Sequence, residues 1–132
     1  EVRAEHPGAD FLIHPECGCS TSVMEYVAAG DVDSEGVHML STGGMVDYAE
    51  HAAPGSTVIV ATEIGMLHPL RKEAPDVEFI AANERASCRY MKMITLPKLR
   101  DSLRDLQFEV KVAPEVAERA RLPIERMVSI TA

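Results

Sequence analysis

Four short apolar runs, separated by segments with helical patterns, limit most strongly how this chain can fold. Each run is rich in β-branched residues and is bounded by Gly, Pro or Asp, which is typical of strands buried on both faces of a parallel sheet. The alternation predicts an α/β fold, an open parallel four-stranded sheet with flanking helices in three α/β/α layers. The runs are DFLIH (10–14), VHMLS (37–41), TVIVAT (57–62) and VEFIAA (77–82).

The segments between and after these runs predict helices. Ser20 or Thr21 caps the first helix, and Pro69 weakens the third. In the C-terminal part, four leucines at helical spacing after the capping residue Thr95 indicate an amphipathic helix, which begins a helix-strand-helix segment. We expect helices over 20–30, 43–53, 64–73, 95–106 and 114–130, and a short strand at FEVKV (108–112).

Composition and charge exclude several classes of function. The net charge of −8, from 13 basic and 21 acidic residues, argues against nucleic-acid and anionic-membrane surfaces, which need a concentrated positive patch. No apolar stretch approaches the roughly 20 residues of a membrane span, and the first ten residues lack a signal-peptide pattern. Three cysteines at uneven spacing fit a reducing compartment better than a disulfide framework. We therefore expect a cytoplasmic protein that binds small molecules or protein partners.

Residues with chemical potential follow the predicted strands, where open parallel sheets bind ligands. His14 and Glu16 flank a proline after the first strand, and side chains two residues apart in an extended stretch face the same side. They indicate either a proton-transfer pair or an ordinary surface His and Glu at a strand end. Ser41 and Thr42 precede two glycines at a strand-to-helix junction, which favours either anion binding or plain helix capping.

The cysteines indicate different chemistry at two places. Cys17 and Cys19 are separated by one residue, and no second pair exists to complete a tetrahedral zinc site. They are either inert small residues or thiols whose pKa is lowered by a helix N-terminus. Cys88 stands beside Arg89 and Lys92, and cationic neighbours favour a thiolate that binds iron or acts as a nucleophile, unless it is a partly buried free cysteine.

Five stretches in order, IHPEC, STGGM, ATEIGMLHPLRKEAP, CRYMKMIT and PIERM, resemble the C-terminal part of quinolinate synthase, an iron–sulfur enzyme family of bacterial NAD biosynthesis. The resemblance runs from near residue 1 to about residue 128. It implies three similar α/β units around a [4Fe–4S] cluster, with one cysteine from each unit. Residues 1–90 would be the last unit, and 91–132 a segment that packs on the first unit, which this chain lacks.

The resemblance also implies an activity. The family condenses iminoaspartate with dihydroxyacetone phosphate, with loss of phosphate and two waters, and the cluster is the Lewis acid in dehydration. L-aspartate oxidase would be the upstream enzyme. By position, Cys88 matches a cluster ligand, His14 and Glu16 match the catalytic proton-transfer pair, and Ser41 and Thr42 match hydroxyls that hold anionic groups. Cys17 is not carried over as a ligand.

The upstream stretches with the other two cluster cysteines are absent, so we expect the isolated chain to hold no stable cluster and to be inactive. Its C-terminal segment would leave an apolar helix face available for self-association or for docking onto residues 1–90. Two alternatives belong to other classes. One is a non-catalytic cytosolic domain that binds an anionic metabolite at the STGG turn, and the other is a redox or zinc protein built on Cys17, Cys19 and Cys88.

Overall fold

The computed structural model describes residues 2–18, 21–31 and 33–130. Within these ranges, short strands alternate with helices up to residue 92, and two longer helices follow. The strands are β1 (Asp10–Ile13), β2 (Val37–Met39), β3 (Thr57–Ala61) and β4 (Glu78–Ala81). The helices are α1 (Val2–Glu5), α2 (Thr21–Ala29), α3 (Thr42–His51), α4 (Leu67–Glu73), α5 (Arg89–Lys92), α6 (Leu96–Asp105) and α7 (Pro114–Ile130), and a 3₁₀ turn, Ile64–Met66, precedes α4.

The strands form one parallel sheet in the order β2-β1-β3-β4. Its two central strands, β1 and β3, are paired along their length, from Asp10 opposite Val58 to Ile13 opposite Ala61. The chain leaves β1 toward β2 on one side and then crosses back to β3 on the other. The strand order therefore reverses between β1 and β3.

Helices cover both faces of this sheet. On one face, Leu12 and Val60 pack with Met45 of α3 and Leu70 of α4, and all four side chains are buried. On the other face, Phe11, Ile13 and Ile59 form a second cluster against partly buried residues of α1 and α2. Each fully buried Leu or Ile side chain stabilises the fold by about 1.5–3 kcal/mol. The three-layer α/β/α prediction with a four-stranded parallel sheet is confirmed.

The predicted helices form with small changes at their ends. α3 begins at Thr42, one residue before its expected start, because Ser41 caps it. Pro69 is tolerated because it is the third residue of α4, where a backbone N–H has no intrahelical partner to lose. α6 begins after its predicted cap, since the Thr95 side chain accepts from the Lys98 N–H. The other predicted cap, Ser20, lies outside the described residues.

The strand predicted over 108–112 is wrong. Among the described residues only β1 to β4 form a ladder, and residues 108–112 are irregular. An alternating sequence becomes a strand only where a neighbouring strand accepts its hydrogen bonds. Phe108 also has φ 64°, outside the extended region, so the backbone turns where the strand was expected to begin.

The chain divides into two compact units, the first ending at Lys92 and the second beginning at Met93. The sheet and helices α1 to α5 belong to the first unit, and α6 and α7 belong to the second. No helix within the described part of the chain is long and apolar enough to cross a membrane.

Polar side chains meet near the amino end of the sheet. The Tyr48 hydroxyl of α3 donates a hydrogen bond to Oδ2 of Asp10. Nε2 of His38 lies 3.7 Å from Oδ1 of the same carboxylate, and the His38 and Tyr48 rings are 5.2 Å apart. This Asp10–His38–Tyr48 cluster links β1, β2 and α3, and it involves none of the residues that the sequence nominates for catalysis.

Candidate active site

The reversal of strand order places a crevice at the carboxyl ends of β1 and β3, where open α/β sheets bind ligands. His14 comes directly after β1, and its N–H donates to the carbonyl of Ala61 at the end of β3. Thr62 and Glu63 come directly after β3 and are buried. The ends of the two central strands thus bring three polar residues, His14, Thr62 and Glu63, to one place.

A cavity of about 530 Å³ opens at this crevice. Its walls come from the loop after β1, the start of α3, the 3₁₀ turn with α4, and the segment around α5. The lining residues are His14, Glu16, Cys17, Thr42, Thr62, Glu63, Gly65, Met66, Pro69, Cys88, Met91 and Lys92. Four of the five residues nominated from the sequence, His14, Glu16, Thr42 and Cys88, line this one cavity.

His14 and Glu16 lie on a tight turn after β1. The carbonyl of His14 accepts from the Cys17 N–H, and the Glu16 N–H donates to Nδ1 of His14 at 3.3 Å. A neutral imidazole that accepts at Nδ1 carries its proton on Nε2. The turn therefore orients the ring, and both His14 and Glu16 line the cavity.

Ser41 and Thr42 have different positions. Ser41 is the N-cap of α3, and its Oγ accepts from the Gly44 N–H at 3.1 Å. Thr42 is the first residue of α3 and lines the cavity, whereas Ser41 is not among the lining residues. Local capping thus accounts for the serine in STGG, and only the threonine reaches the place where a ligand would contact it.

The cysteines separate clearly. Cys88 is a free, half-buried thiol on the cavity wall. Cys17 also lines the cavity, but it is disulfide-bonded, in contrast to the free thiols expected of a reducing compartment. Cys19 lies outside the described residues. Of the cysteine sulfurs that the structure describes, only that of Cys88 is available as a thiolate ligand.

Glu63 is not among the residues nominated from the sequence, yet it is the most deeply buried ionisable residue of the cavity, with 7 % of its surface exposed. Its Oε2 accepts from the Gly65 N–H at 2.8 Å, and its Oε1 lies 3.0 Å from Nζ of Lys92. Burial acts to raise the pKa of the Glu63 carboxyl, but the Lys92 ammonium and the N–H groups of Gly65 and Cys88 together hold it below its usual range. Glu63 is therefore an ionised carboxylate at neutral pH.

The cavity contains one cysteine of the kind that binds iron in iron–sulfur proteins. Clusters of the [4Fe–4S] type are held by several cysteine thiolates, and a thiolate such as that of Cys88 is a suitable single ligand. The residues that the structure describes contain no group of three His, Cys, Asp or Glu side chains placed to hold a metal ion. Among the described residues, the cavity therefore offers one free thiol as a possible ligand and no complete metal site.

Comparisons with known proteins identify relatives of this chain. The family model described as "Quinolinate synthetase A protein" matches residues 1–129. Proteins named quinolinate synthase from Mycobacterium tuberculosis H37Rv and from Mycobacterium sp. strain KMS are 48% and 49% identical to the chain over 98% of its length. The protein of that name from Mycolicibacterium paratuberculosis K-10 is 47% identical over the same share.

These matches cover 37–38% of each relative, so the chain spans little more than a third of the curated relatives it matches. Within that span, the family match over residues 1–129 extends across both compact units. The chain therefore belongs to the quinolinate synthase family.

Proposed function

We propose that the full-length protein containing this chain is a cytoplasmic quinolinate synthase, which condenses iminoaspartate with dihydroxyacetone phosphate to form quinolinate for NAD biosynthesis. The observation that carries the proposal is the convergence of the free Cys88 thiol with His14, Glu16 and Thr42 on one cavity. Family membership supports it. Because the chain spans about 37% of its relatives, the activity is proposed for the whole protein and not for this part alone.

His14 and Glu16 are proposed to move protons during condensation and dehydration. The orientation of His14 supports this role, since a neutral ring with its proton on Nε2 can donate to an oxygen or nitrogen of a bound molecule. The Glu16 carboxylate is exposed on the same wall and can accept a proton. An imidazole that donates a proton and a carboxylate that accepts one suit a reaction that both adds and removes protons.

Thr42 is proposed to contact an anionic group of the substrate. Its position at the first residue of α3 places its hydroxyl beside the positive end of a ten-residue helix. Helix N-termini attract phosphate and carboxylate groups through their N–H groups and the helix dipole. Ser41 would act through the cap that fixes this end of α3.

Cys88 would hold a [4Fe–4S] cluster together with ligands outside this chain. When bound, that cluster would supply a Lewis-acidic iron for dehydration. The half-buried position of Cys88 keeps its sulfur at the cavity wall, within the same enclosure as the proposed proton-transfer pair.

The proposal is tested by Cys88→Ser in the full-length protein, with iron, sulfide and quinolinate formation as the measured quantities. We expect this variant to lose most of its cluster and its activity, because serine removes a thiolate ligand. Cys17→Ser is the matched control, since Cys17 lines the same cavity but is disulfide-bonded, and it should keep the cluster. A normal cluster in Cys88→Ser would overturn the assignment.

The 132-residue chain by itself is expected to bind no stable cluster and to form no quinolinate, because the structure describes only one free thiol at the cavity. Anaerobic reconstitution with iron and sulfide, followed by metal analysis and an activity assay, measures both quantities. A full complement of four irons per chain together with quinolinate formation would contradict this expectation.

A further inference from the structure

The segment that carries Cys88 is joined to the end of β3 through a buried charge. Glu63 is the second residue after β3, and Lys92 ends α5, four residues after Cys88. The Lys92 side chain is half exposed, whereas that of Glu63 is only 8 % exposed. A carboxylate buried to this degree is strongly disfavoured unless a partner compensates it. The Glu63–Lys92 pair therefore fixes where Lys92 lies, and with it the helix turn that begins next to Cys88.

Backbone contacts strengthen the same connection. The Ile64 N–H donates to the carbonyl of Ala86 at 2.8 Å, and the Lys92 N–H donates to the carbonyl of Cys88 at 3.1 Å. Both sides of Cys88 are thus tied to the residues that follow β3.

Gly65 indicates how closely this arrangement is packed. A Cβ atom at this position would lie 2.5 Å from Oε2 of Glu63 and 3.5 Å from Nζ of Lys92. Any side chain there would displace the carboxylate. The glycine in TEIG is therefore required by the approach of Glu63 to its own backbone, and this requirement is separate from turn formation.

We propose that Glu63 is a positioning residue that holds the Cys88 segment, through Lys92 and the adjoining backbone, so that the Cys88 sulfur faces the cavity. The proposal rests on the proposed function in one respect, namely that Cys88 is a cluster ligand. Residues that orient a metal ligand without touching the metal commonly change metal affinity by about 10–100-fold when they are altered.

The first test measures amide hydrogen exchange of residues 84–92 in the metal-free chain. Glu63→Ala should reduce protection in this peptide about tenfold, because it removes a charge-assisted contact, while a peptide covering β1 keeps its protection. Glu63→Gln keeps an acceptor for the Gly65 N–H, so its residues 84–92 should lose less protection than those of Glu63→Ala. Glu78→Ala is the matched control, since the Glu78 carboxylate in β4 also has a side-chain partner, Thr57.

The second test measures iron retention in the full-length protein during titration with EDTA. We expect Glu63→Ala to release iron at roughly tenfold lower chelator concentration, with Glu63→Gln between it and the unaltered protein. Lys92→Met should release iron at a chelator concentration similar to that for Glu63→Ala. Agreement between the two variants would show that the effect is not a folding defect caused by one substitution. Equal exchange of residues 84–92 in Glu63→Ala and in the unaltered chain would overturn the proposal. A normal cluster in Cys88→Ser would instead overturn the proposed function, and the exchange result would still decide the role of Glu63.

Discussion

Tyr48 occupies an environment that favours its neutral form. Burial, the hydrogen bond to Asp10 and the negative charge of Asp10 all raise the pKa of Tyr48 above its ordinary value. A group whose pKa is raised on folding contributes stability that is fully present below its unfolded pKa and is lost as pH rises toward the folded value. Tyr48 should therefore make the chain lose stability above about pH 10, the usual pKa of tyrosine.

We predict that Tyr48→Phe lowers the free energy of unfolding by ~1 kcal/mol at neutral pH, through loss of the hydrogen bond to Asp10. The difference from the unaltered chain should shrink above about pH 10, because phenylalanine does not titrate. Urea unfolding at several pH values between neutral and alkaline measures this difference. Tyr26→Phe is the control at an exposed tyrosine, and a constant Tyr48→Phe difference across the alkaline range would contradict the prediction.

Some residues of the cavity could be predicted from the sequence and others could not. His14 and Glu16 follow a buried strand within three positions, so local periodicity was enough to bring both to the crevice. Glu63 also follows a buried strand, but an acidic residue at a strand end is usually solvated. Its burial depends on Lys92, which arrives from another part of the chain. Contacts of that kind depend on tertiary packing, which a pattern within one segment does not encode.

At the start of α3, the two hydroxyl residues of the STGG motif have different roles. Ser41 caps the helix through Gly44, and Thr42 faces the cavity. We predict that Ser41→Ala lowers the free energy of unfolding by ~1 kcal/mol, the usual cost of losing an N-cap. Ser41→Asp should restore stability, because aspartate caps equally well, while its charge weakens binding of an anionic substrate and raises KM in the full-length protein.

Urea unfolding of the two Ser41 variants, together with KM for dihydroxyacetone phosphate in the full-length protein, separates these effects. Ser129→Ala is a control for loss of a hydroxyl that bonds within a helix without capping its start. If Ser41→Ala unfolds at the same urea concentration as the unaltered chain, the cap contributes no measurable stability and this interpretation of STGG fails.

Helices and central strands were predictable because each is specified by its own residues and partners nearby in sequence. α6 was located from its leucine spacing and its Thr95 cap alone. The segment 108–112 alternates apolar and charged residues as a half-buried strand would, yet no described strand pairs with it. The sequence pattern indicates that a segment can be extended, and the presence of a pairing edge decides whether it becomes a strand.

At the scale of the whole molecule, the second unit presents an apolar surface. The four leucines of α6 and its C-cap, Leu96, Leu99, Leu103 and Leu106, are exposed, and even Leu99 retains 48% exposure. Soluble monomers rarely keep contiguous apolar patches of this kind free of contacts. We predict that the isolated chain self-associates through this face in a concentration-dependent way.

Multi-angle light scattering across a hundredfold range of protein concentration measures the association. The double variant Leu99→Glu with Leu103→Glu should shift the chain toward monomer, because two carboxylates in the contact would each be desolvated without a partner. Lys98→Gln makes the same helix more negative without altering the apolar face, and it should associate as the unaltered chain does. A strict monomer at all concentrations would contradict self-association and would favour the other expectation for this segment, that its apolar face docks onto residues 1–90.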